Sequence, residues 1–347
     1  MAEAVKHFIQ HFPLETMNEG DIYITNDPWL GTGHLNDFVL TTPCFKDGRL
    51  VALFSCTSHI TDIGGLGTGT DGTDVHMEGI YIPMLKLADR GQMNKTLLAM
   101  VRQNTRQPIE TEGDVYSLAA CNDIGCCRLV EMMDEFGLES LDDLADYVCQ
   151  NSYDAVMAEV AKLPRGTFRS SMTIDGYDKP LQLVAQVTIS DDGIAVDYDG
   201  TSPKSRYGVN VPHAYTIAYT CFGLSCIVSP DVPNNAGSLA PFKVRAPEGS
   251  ILNAPYPAAV CSRHVIGQML PDTVFGCLAQ AVPERVPAEG AACLWNLTFR
   301  GETDRGSNDA SIFCITAVTN GGTGARPSKD GLSATAYPSG VRGTPVE

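Results

Sequence analysis

Two His-x-x-Asp units lie near the start of this chain, His34-Leu35-Asn36-Asp37 and His59-Ile60-Thr61-Asp62, the second 25 positions after the first. Two imidazoles and two carboxylates make a donor set for one divalent cation. Nitrogen and oxygen ligands of this kind suit zinc, manganese or iron(II). Glycines flank both units, Gly31 and Gly33 before the first, Gly64 and Gly65 after the second. They suit loops in which the backbone turns sharply or comes close to a ligand. Spacing alone leaves other roles open, His34 as a turn residue and Asp62 as a helix cap.

The surrounding elements decide whether the two units meet. Residues 21–25 alternate and are β-branched, which predicts a strand. Asn26-Asp27-Pro28 breaks it into a loop that leads to His34. Residues 38–42 and 50–56 read as paired strands joined by Lys46-Asp47-Gly48-Arg49, whose Asp-Gly is a hairpin signal. Asp37 then enters the first strand and His59 leaves the second. The units return side by side at one end of one ladder, so a metal shared by His34, Asp37, His59 and Asp62 is expected.

Residues 64–75 are rich in Gly, Thr and Asp and predict a long loop, which in a compact domain is commonly functional. It ends at Asp74-Val75-His76-Met77-Glu78-Gly79. His76 and Glu78 are candidate ligands or substrate contacts, with a plain surface turn as the alternative. Asp27 joins them as a candidate substrate contact. Arg106, Arg263 and His264 can bind a substrate carboxylate or phosphate, and structural pairing with acidic neighbours is the competing role. Cys261, near His264, is the one cysteine weighed as a nucleophile.

The scaffold divides by pattern. Residues 2–12, 94–105, 114–135 and 140–160 read as helices. Near 165 the period changes. Residues 168–174, 181–189 and 194–198 read as three strands linked by Asp-Gly and Asp-Asp-Gly turns, an antiparallel meander. Residues 211–228 read as an apolar helix, 242–246 as a strand, 264–281 as a buried helix with Pro271 a kink or first-turn residue, and 294–299 and 312–317 as strands. The expected fold class is mixed α/β (α+β). A hairpin-based metal-loop region and a helical block occupy 1–165, followed by the meander and further α/β segments over 166–347. The tail Gly321-Gly322-Thr323-Gly324-Ala325-Arg326-Pro327 reads as a flexible loop. No Walker loop, dinucleotide fingerprint, nucleophile elbow or kinase set occurs, so no nucleotide site is expected on the chain itself.

Composition excludes several classes. The 347 residues are 44% hydrophobic and 19% charged, as in an ordinary globular protein, and carry a net charge of −17. An acidic chain lacks the clustered Lys and Arg that nucleic acid or an anionic membrane surface requires. No run of eighteen apolar residues occurs and the N-terminus lacks the pattern of a secretion signal, so a cytoplasmic location is expected. Twelve cysteines without export and without a C-x-x-C pair predict thiols that pack as small hydrophobes, not disulfides or a cysteine zinc site.

Several segments taken together resemble the hydantoinase B family. They are residues 20–28 (Gly-Asp-Ile-Tyr-Ile-Thr-Asn-Asp-Pro), 33–37, 58–65 and 78–83 (Glu-Gly-Ile-Tyr-Ile-Pro). Asp199-Gly200-Thr201-Ser202, Asn235-Ala236-Gly237, Pro247-Glu248-Gly249-Ser250 and Asn296-Leu297-Thr298-Phe299 continue the likeness in order along the chain. The family comprises B subunits of ATP-dependent hydantoinases, the matching half of 5-oxoprolinase, and subunits of acetone and acetophenone carboxylases.

The resemblance implies a partner, an A-type subunit that binds ATP and phosphorylates the substrate or bicarbonate, in a hetero-oligomer. It implies a divalent metal on this chain, with His34, Asp37, His59 and Asp62 matching the metal-binding segments, and a small cyclic amide or ketone as substrate. The expected function is metal-assisted opening of a hydantoin-like or 5-oxoproline-like ring. A ketone carboxylase subunit and a metal-stabilised assembly module inactive alone are the alternatives. The resemblance also implies a central fragment of a longer family chain. An Arg-Asp-Phe-Ser-like segment before Met1, whose aspartate looks like a further ligand, and a region after Thr344-Pro345-Val346-Glu347 are the expected missing parts.

Overall fold

A computed structural model of the chain describes residues 2–291, 294–303 and 312–333. The segment Thr344–Glu347, after which the resemblance expects a longer chain, lies outside the described residues. The residues fall into two compact units. The first comprises Met1–Leu141, Tyr256–Ser262 and Thr298–Thr316, and the second Asp142–Pro255, Arg263–Leu297 and Ala317–Glu347. The change of pattern near 165 lies inside the second unit.

In the first unit, helix α1 (Ala2–His11) precedes strands β1 (Ile22–Thr25), β2 (Asp37–Lys46), β3 (Arg49–His59), β4 (Leu85–Asp89) and β5 (Gln92–Met93). Helices α2 (Lys95–Asn104) and α3 (Pro108–Glu135) follow. The strands form one antiparallel sheet in the order β3-β2-β1-β4-β5. Because side chains alternate across a sheet, its two faces bury different sets. Ile24, Phe38 and Leu40 cluster with Val101, Val115 and Leu118 of α2 and α3. Tyr23 and Val39 cluster with Ala4 and Phe8 of α1. Strand β2, covered on both faces, is buried along most of its length. Helix α3 packs tightly on the hairpin at Gly125, where a β-carbon would lie 2.5 Å from the Phe54 ring.

The β2–β3 hairpin forms as expected, and its cause is local. Asp47 (φ 50°) and Gly48 (φ 76°) both take left-handed backbone, the pattern of a type I′ turn whose twist matches the strands. Lys46 pairs with Arg49 and Phe45 with Leu50. The ladder then passes over Val51, pairs Cys44 with Ala52, and runs regularly to Asp37 opposite His59.

The second unit begins with α4 (Asp142–Val160) and continues with β6 (Gly166–Ile174), β7 (Leu181–Ser190) and β8 (Gly193–Asp197). Then come α5 (His213–Val228), α6 (Ala236–Leu239), β9 (Phe242–Arg245), α7 (His264–Gly267) and α8 (Leu270–Leu278). Strands β6, β7 and β8 are the expected antiparallel meander, and β9 adds to β8 in parallel. Leu183, Ala185, Val187 and Val196 of the sheet are buried with Val156, Leu224, Val274 and Leu278 of the helices. Strands β10 (Leu294–Glu302) and β11 (Ile312–Asn320) form a two-stranded sheet.

The fold class is the mixed α/β expected, with three differences in its elements. Helix α3 begins at Pro108, six residues before the position read from the pattern. Proline is well placed in a first turn, where its fixed φ suits the helix and its missing N–H costs nothing. The single helix expected over 264–281 is two, α7 and α8, with Pro271 in the first turn of the second. Pro removes the N–H that a continuous helix would need there. The glycine-rich tail is more ordered than a flexible loop, since Thr323 bridges Leu332 and Arg326 bridges Lys329. No helix among the described residues is long and apolar enough to cross a membrane.

One buried charge ties β1 to the β4–β5 turn. Asp21 is fully buried and accepts from Lys86 Nζ (2.8 Å), Arg90 N (2.9 Å), Asn18 N (3.0 Å) and the Tyr23 hydroxyl (3.0 Å). Burial pushes its carboxyl up, and the four donors outweigh it, leaving a pKa of about 2 against an ordinary 3.8. A carboxyl held below its unfolded value adds stability that is complete above that value and is lost as pH falls through the folded one. Asp21→Asn is therefore expected to cost about 1–3 kcal/mol at neutral pH. In urea denaturation over a pH series, the gap to wild type should narrow between about pH 4 and pH 2. A gap that is constant over that range would show that the charge of Asp21 is not what stabilises the turn.

Candidate metal centre

Three of the four His-x-x-Asp donors converge. His34, Asp37 and His59 each offer a ligand atom within 4.8 Å of the others. The hairpin register puts Asp37 directly across from His59, with Oδ1 3.4 Å from His59 Nδ1. His34 comes from the loop before β2, its Nδ1 3.3 Å from Asp37 Oδ2. Its Nε2 lies 3.2 Å from His59 Nδ1. One carboxylate thus stands between two imidazoles. Thr32, unremarked in the sequence, donates its hydroxyl to Asp37 Oδ2 at 2.6 Å and orients that carboxylate. The His34 and Asp37 side chains are 4% and 13% exposed and His59 44%, so the group is closed behind and open at His59.

This donor set fits a divalent transition metal. Two imidazoles and a carboxylate supply the nitrogen and oxygen ligands that zinc, manganese and iron(II) accept, and three protein ligands leave positions for water or substrate. An outer-shell hydroxyl on the carboxylate is a usual accompaniment of such a centre.

Asp62 is not in this group. Its side chain is fully buried and its Oδ1 takes Arg106 Nη1 at 2.6 Å, while its other oxygen accepts the Arg106 backbone N–H. Arg106 Nη2 also bonds Gly65 O at 2.7 Å. Two candidates from the sequence, one ligand and one anion binder, are thus partners of each other. The spacing could not tell this, because Asp62 lies beyond the ladder, where the chain has left the strand.

The remaining candidates hold the loops. Glu78 is buried, and its Oε1 accepts from Val260 N at 2.6 Å and Cys261 N at 2.8 Å. Asp27 caps its own loop by accepting from Trp29 N (2.8 Å) and Leu30 N (3.2 Å), and takes the Tyr81 hydroxyl at 2.6 Å. His76 Nε2 meets the Tyr256 hydroxyl at 2.8 Å. His264 opens α7 in the second unit and is half-buried. Cys261 is buried, with Sγ 3.5 Å from Gly67 O.

Asn26 does more than break a strand, the only role its place in the sequence suggests. Fully buried, it donates to Leu35 O (2.7 Å) and Ile80 O (2.9 Å), and its Oδ1 accepts from Ile82 N (2.6 Å). One amide therefore fixes the carbonyl next to His34 to the segment after Glu78. Asn36 extends the hairpin by one step. It donates from Nδ2 to Ile60 O (2.9 Å) and accepts Ile60 N–H on its own carbonyl (2.7 Å). The signal for both was an asparagine beside an aspartate at the mouth of a strand, where Asn side chains commonly replace backbone partners.

The sequence and structure match known proteins throughout. The family described as hydantoinase B/oxoprolinase matches residues 1–347. The B subunit of a putative D-/L-hydantoinase of Pseudomonas sp. is 29% identical over 353 residues, 96% of this chain and 58% of that protein. The beta subunit of the Pseudomonas jessenii caprolactamase is 28% identical over 325 residues, covering 91% and 55%. 5-oxoprolinase 1 of Arabidopsis thaliana is 29% identical over 362 residues, covering 96% and 27%. The crystal structure of ATP-dependent caprolactamase from Pseudomonas jessenii superposes with a TM-score of 0.86 at 27% identity, over 95% of this chain and 58% of that one. Nucleotide-free acetone carboxylase shares the fold, with a TM-score of 0.84 at 18% identity, over 96% of this chain and 47% of that one. The chain spans little more than half the length of the bacterial subunits it matches. The resemblance read from the motifs therefore holds, and the chain belongs to the hydantoinase B/oxoprolinase family.

Proposed function

We propose that this chain carries the metal-binding core of a B-type subunit in an ATP-dependent cyclic amide hydrolase, acting with an A-type subunit that binds ATP. The observation that carries the reading is the convergence of His34, Asp37 and His59 within 4.8 Å in a member of this family. The hydrolase is favoured over the carboxylase by the nearer likeness to caprolactamase, 27% identical, than to acetone carboxylase, 18%.

The roles of the residues follow from their surroundings. His34, Asp37 and His59 would hold the ion. Once bound, a divalent ion supplies Lewis-acid polarisation of a carbonyl or phosphoryl oxygen, or a water ionised near neutral pH. Asp37 contributes the single negative charge and fixes the orientation of both rings. Thr32 keeps one oxygen of Asp37 from turning away. His59, the most exposed of the three, marks the side from which substrate enters. A cyclic amide resists water because its carbonyl is stabilised by the ring nitrogen. ATP on the partner would activate that carbonyl, and the two imidazoles and the carboxylate here would hold the ion against which the reacting oxygen is placed.

Metal analysis of the purified chain tests the reading. Wild type is expected to hold stoichiometric zinc, manganese or iron, and His59→Ala and Asp37→Asn to lose it. Asp62→Asn should keep it, because Asp62 is engaged by Arg106. Metal lost equally in Asp62→Asn and His59→Ala would instead restore the four-residue set. Thr32→Ala should weaken metal affinity by about tenfold, the usual effect of an outer-shell partner. Mixed with an A-type subunit and ATP, wild type should release phosphate in a hydantoin-dependent manner, and His59→Ala should not. Phosphate release that depends on bicarbonate and a ketone would overturn the hydrolase assignment.

A further inference from the structure

Three chain segments bring four rings together in the first unit. Trp29 follows β1, His76 and Tyr81 flank Glu78, and Tyr256 comes from the segment 256–262. Tyr256 is the centre. Its ring lies 5.4 Å from Trp29 at 76°, 5.7 Å from His76 at 88°, and 6.5 Å from Tyr81. Edge-on contacts at these distances are the attractive arrangement for aromatic rings. Yet Tyr256 is 53% exposed. A cluster this ordered around a ring that faces solvent is unlike a piece of core.

The exposed ring is held in place from beneath. Pro257 O accepts Val75 N at 3.0 Å, and the Val260 and Cys261 amides end on buried Glu78. The Tyr256 hydroxyl is already engaged by His76. Presenting this ring to a ligand therefore costs little further conformational entropy. The charge nearby is satisfied as well. Asp27 takes the Tyr81 hydroxyl and two backbone amides, and burial, then Asp27 itself, pushes the Tyr81 phenol up and keeps it protonated. The cluster thus offers ring faces and edges, which suit an apolar or flat neutral group better than a carboxylate. One anchor also joins it to the segment that carries His34, since Asn26 ties Leu35 O, next to His34, to Ile80 O, next to Tyr81.

We propose that Trp29, Tyr81 and Tyr256, with His76, form the subsite that receives the apolar ring substituent of the cyclic amide, and so set the substrate preference of the centre. The proposal rests on the cyclic amide hydrolase reading above. Its occupant is a neutral side group on a lactam-type ring, whose amide end faces the triad.

Calorimetric titration of the metal-loaded chain with hydantoin and with 5-benzylhydantoin tests it. Wild type should bind the benzyl compound more tightly. Tyr256→Ala should weaken the benzyl compound by about five- to tenfold, the value of an aromatic contact, and change hydantoin by less than about twofold. Trp29→Leu should act in the same direction. Tyr256→Phe, which keeps the ring and removes only the hydroxyl, should retain the preference and serves as the folding control, while His59→Ala should weaken both compounds alike. Equal effects of Tyr256→Ala on the two compounds, or none on either, would overturn the subsite while leaving the hydrolase reading intact. Failure of both compounds to bind the metal-loaded wild type would overturn the subsite and the hydrolase reading together.

Discussion

Everything at the candidate centre depends on the register of one hairpin. Asp37 faces His59 only because β3 contains one residue more than a regular ladder needs, Val51, which the pairing passes over. Were the strands paired without that irregularity, Ser58 would stand opposite Asp37 and the His59 side chain would point to the other face of the sheet. A slip of one residue inverts every side chain of a strand. The device that prevents it lies at the far end of the ladder, beside the Asp47-Gly48 turn. Bulges that re-aim a side chain near a site are a recurring use of such an irregularity. The chemistry of this centre is therefore governed by two or three residues that take no part in it.

Around the hairpin, buried polar groups do the work that regular structure cannot do for loops. Asn26, Glu78 and Asp62 are nearly inaccessible to solvent, and each bonds backbone groups of a segment far away in the chain. An unpaired polar group at these depths would cost more than the bond it forms is worth, so the loops have a single favourable arrangement. The Asp62–Arg106 pair belongs to this framework. Breaking such a pair from one side leaves a buried charge, which is costly even though the pair itself adds little net stability. One of these anchors, Asn26, ties the segment that carries His34 to the one that carries Tyr81.

Much of this was legible in the amino-acid order. The Asp-Gly turn between alternating segments located the hairpin, and the hairpin brought two histidines to one end of it. Period changes located the meander and most helices. Most of what the pattern does not show is of one kind. The partnership of Asp62 with Arg106, the bonds of Glu78 to residues 260 and 261, and the place of Tyr256 all join positions distant in the chain. Local pattern reports which residues face the same way in one element. It carries no information on which loop will fold back onto another. Pro271 shows the local limit, since a proline in an apolar run reads equally as a kink in one helix or as the start of a second.

The first unit is interrupted in the chain by a stretch, Asp142–Pro255, that belongs wholly to the second. Proteins leave the ribosome N-terminus first. The β2–β3 hairpin, with His34, Asp37 and His59 near its mouth, is local in sequence and can form while the rest is still being made. Glu78 has to wait. Its two amide partners, at 260 and 261, emerge only after the whole inserted stretch, which carries the four strands β6 to β9 of the second unit's sheet. Closing so long a separation is slow compared with closing the hairpin. Completion of the first unit thus follows synthesis of the inserted stretch.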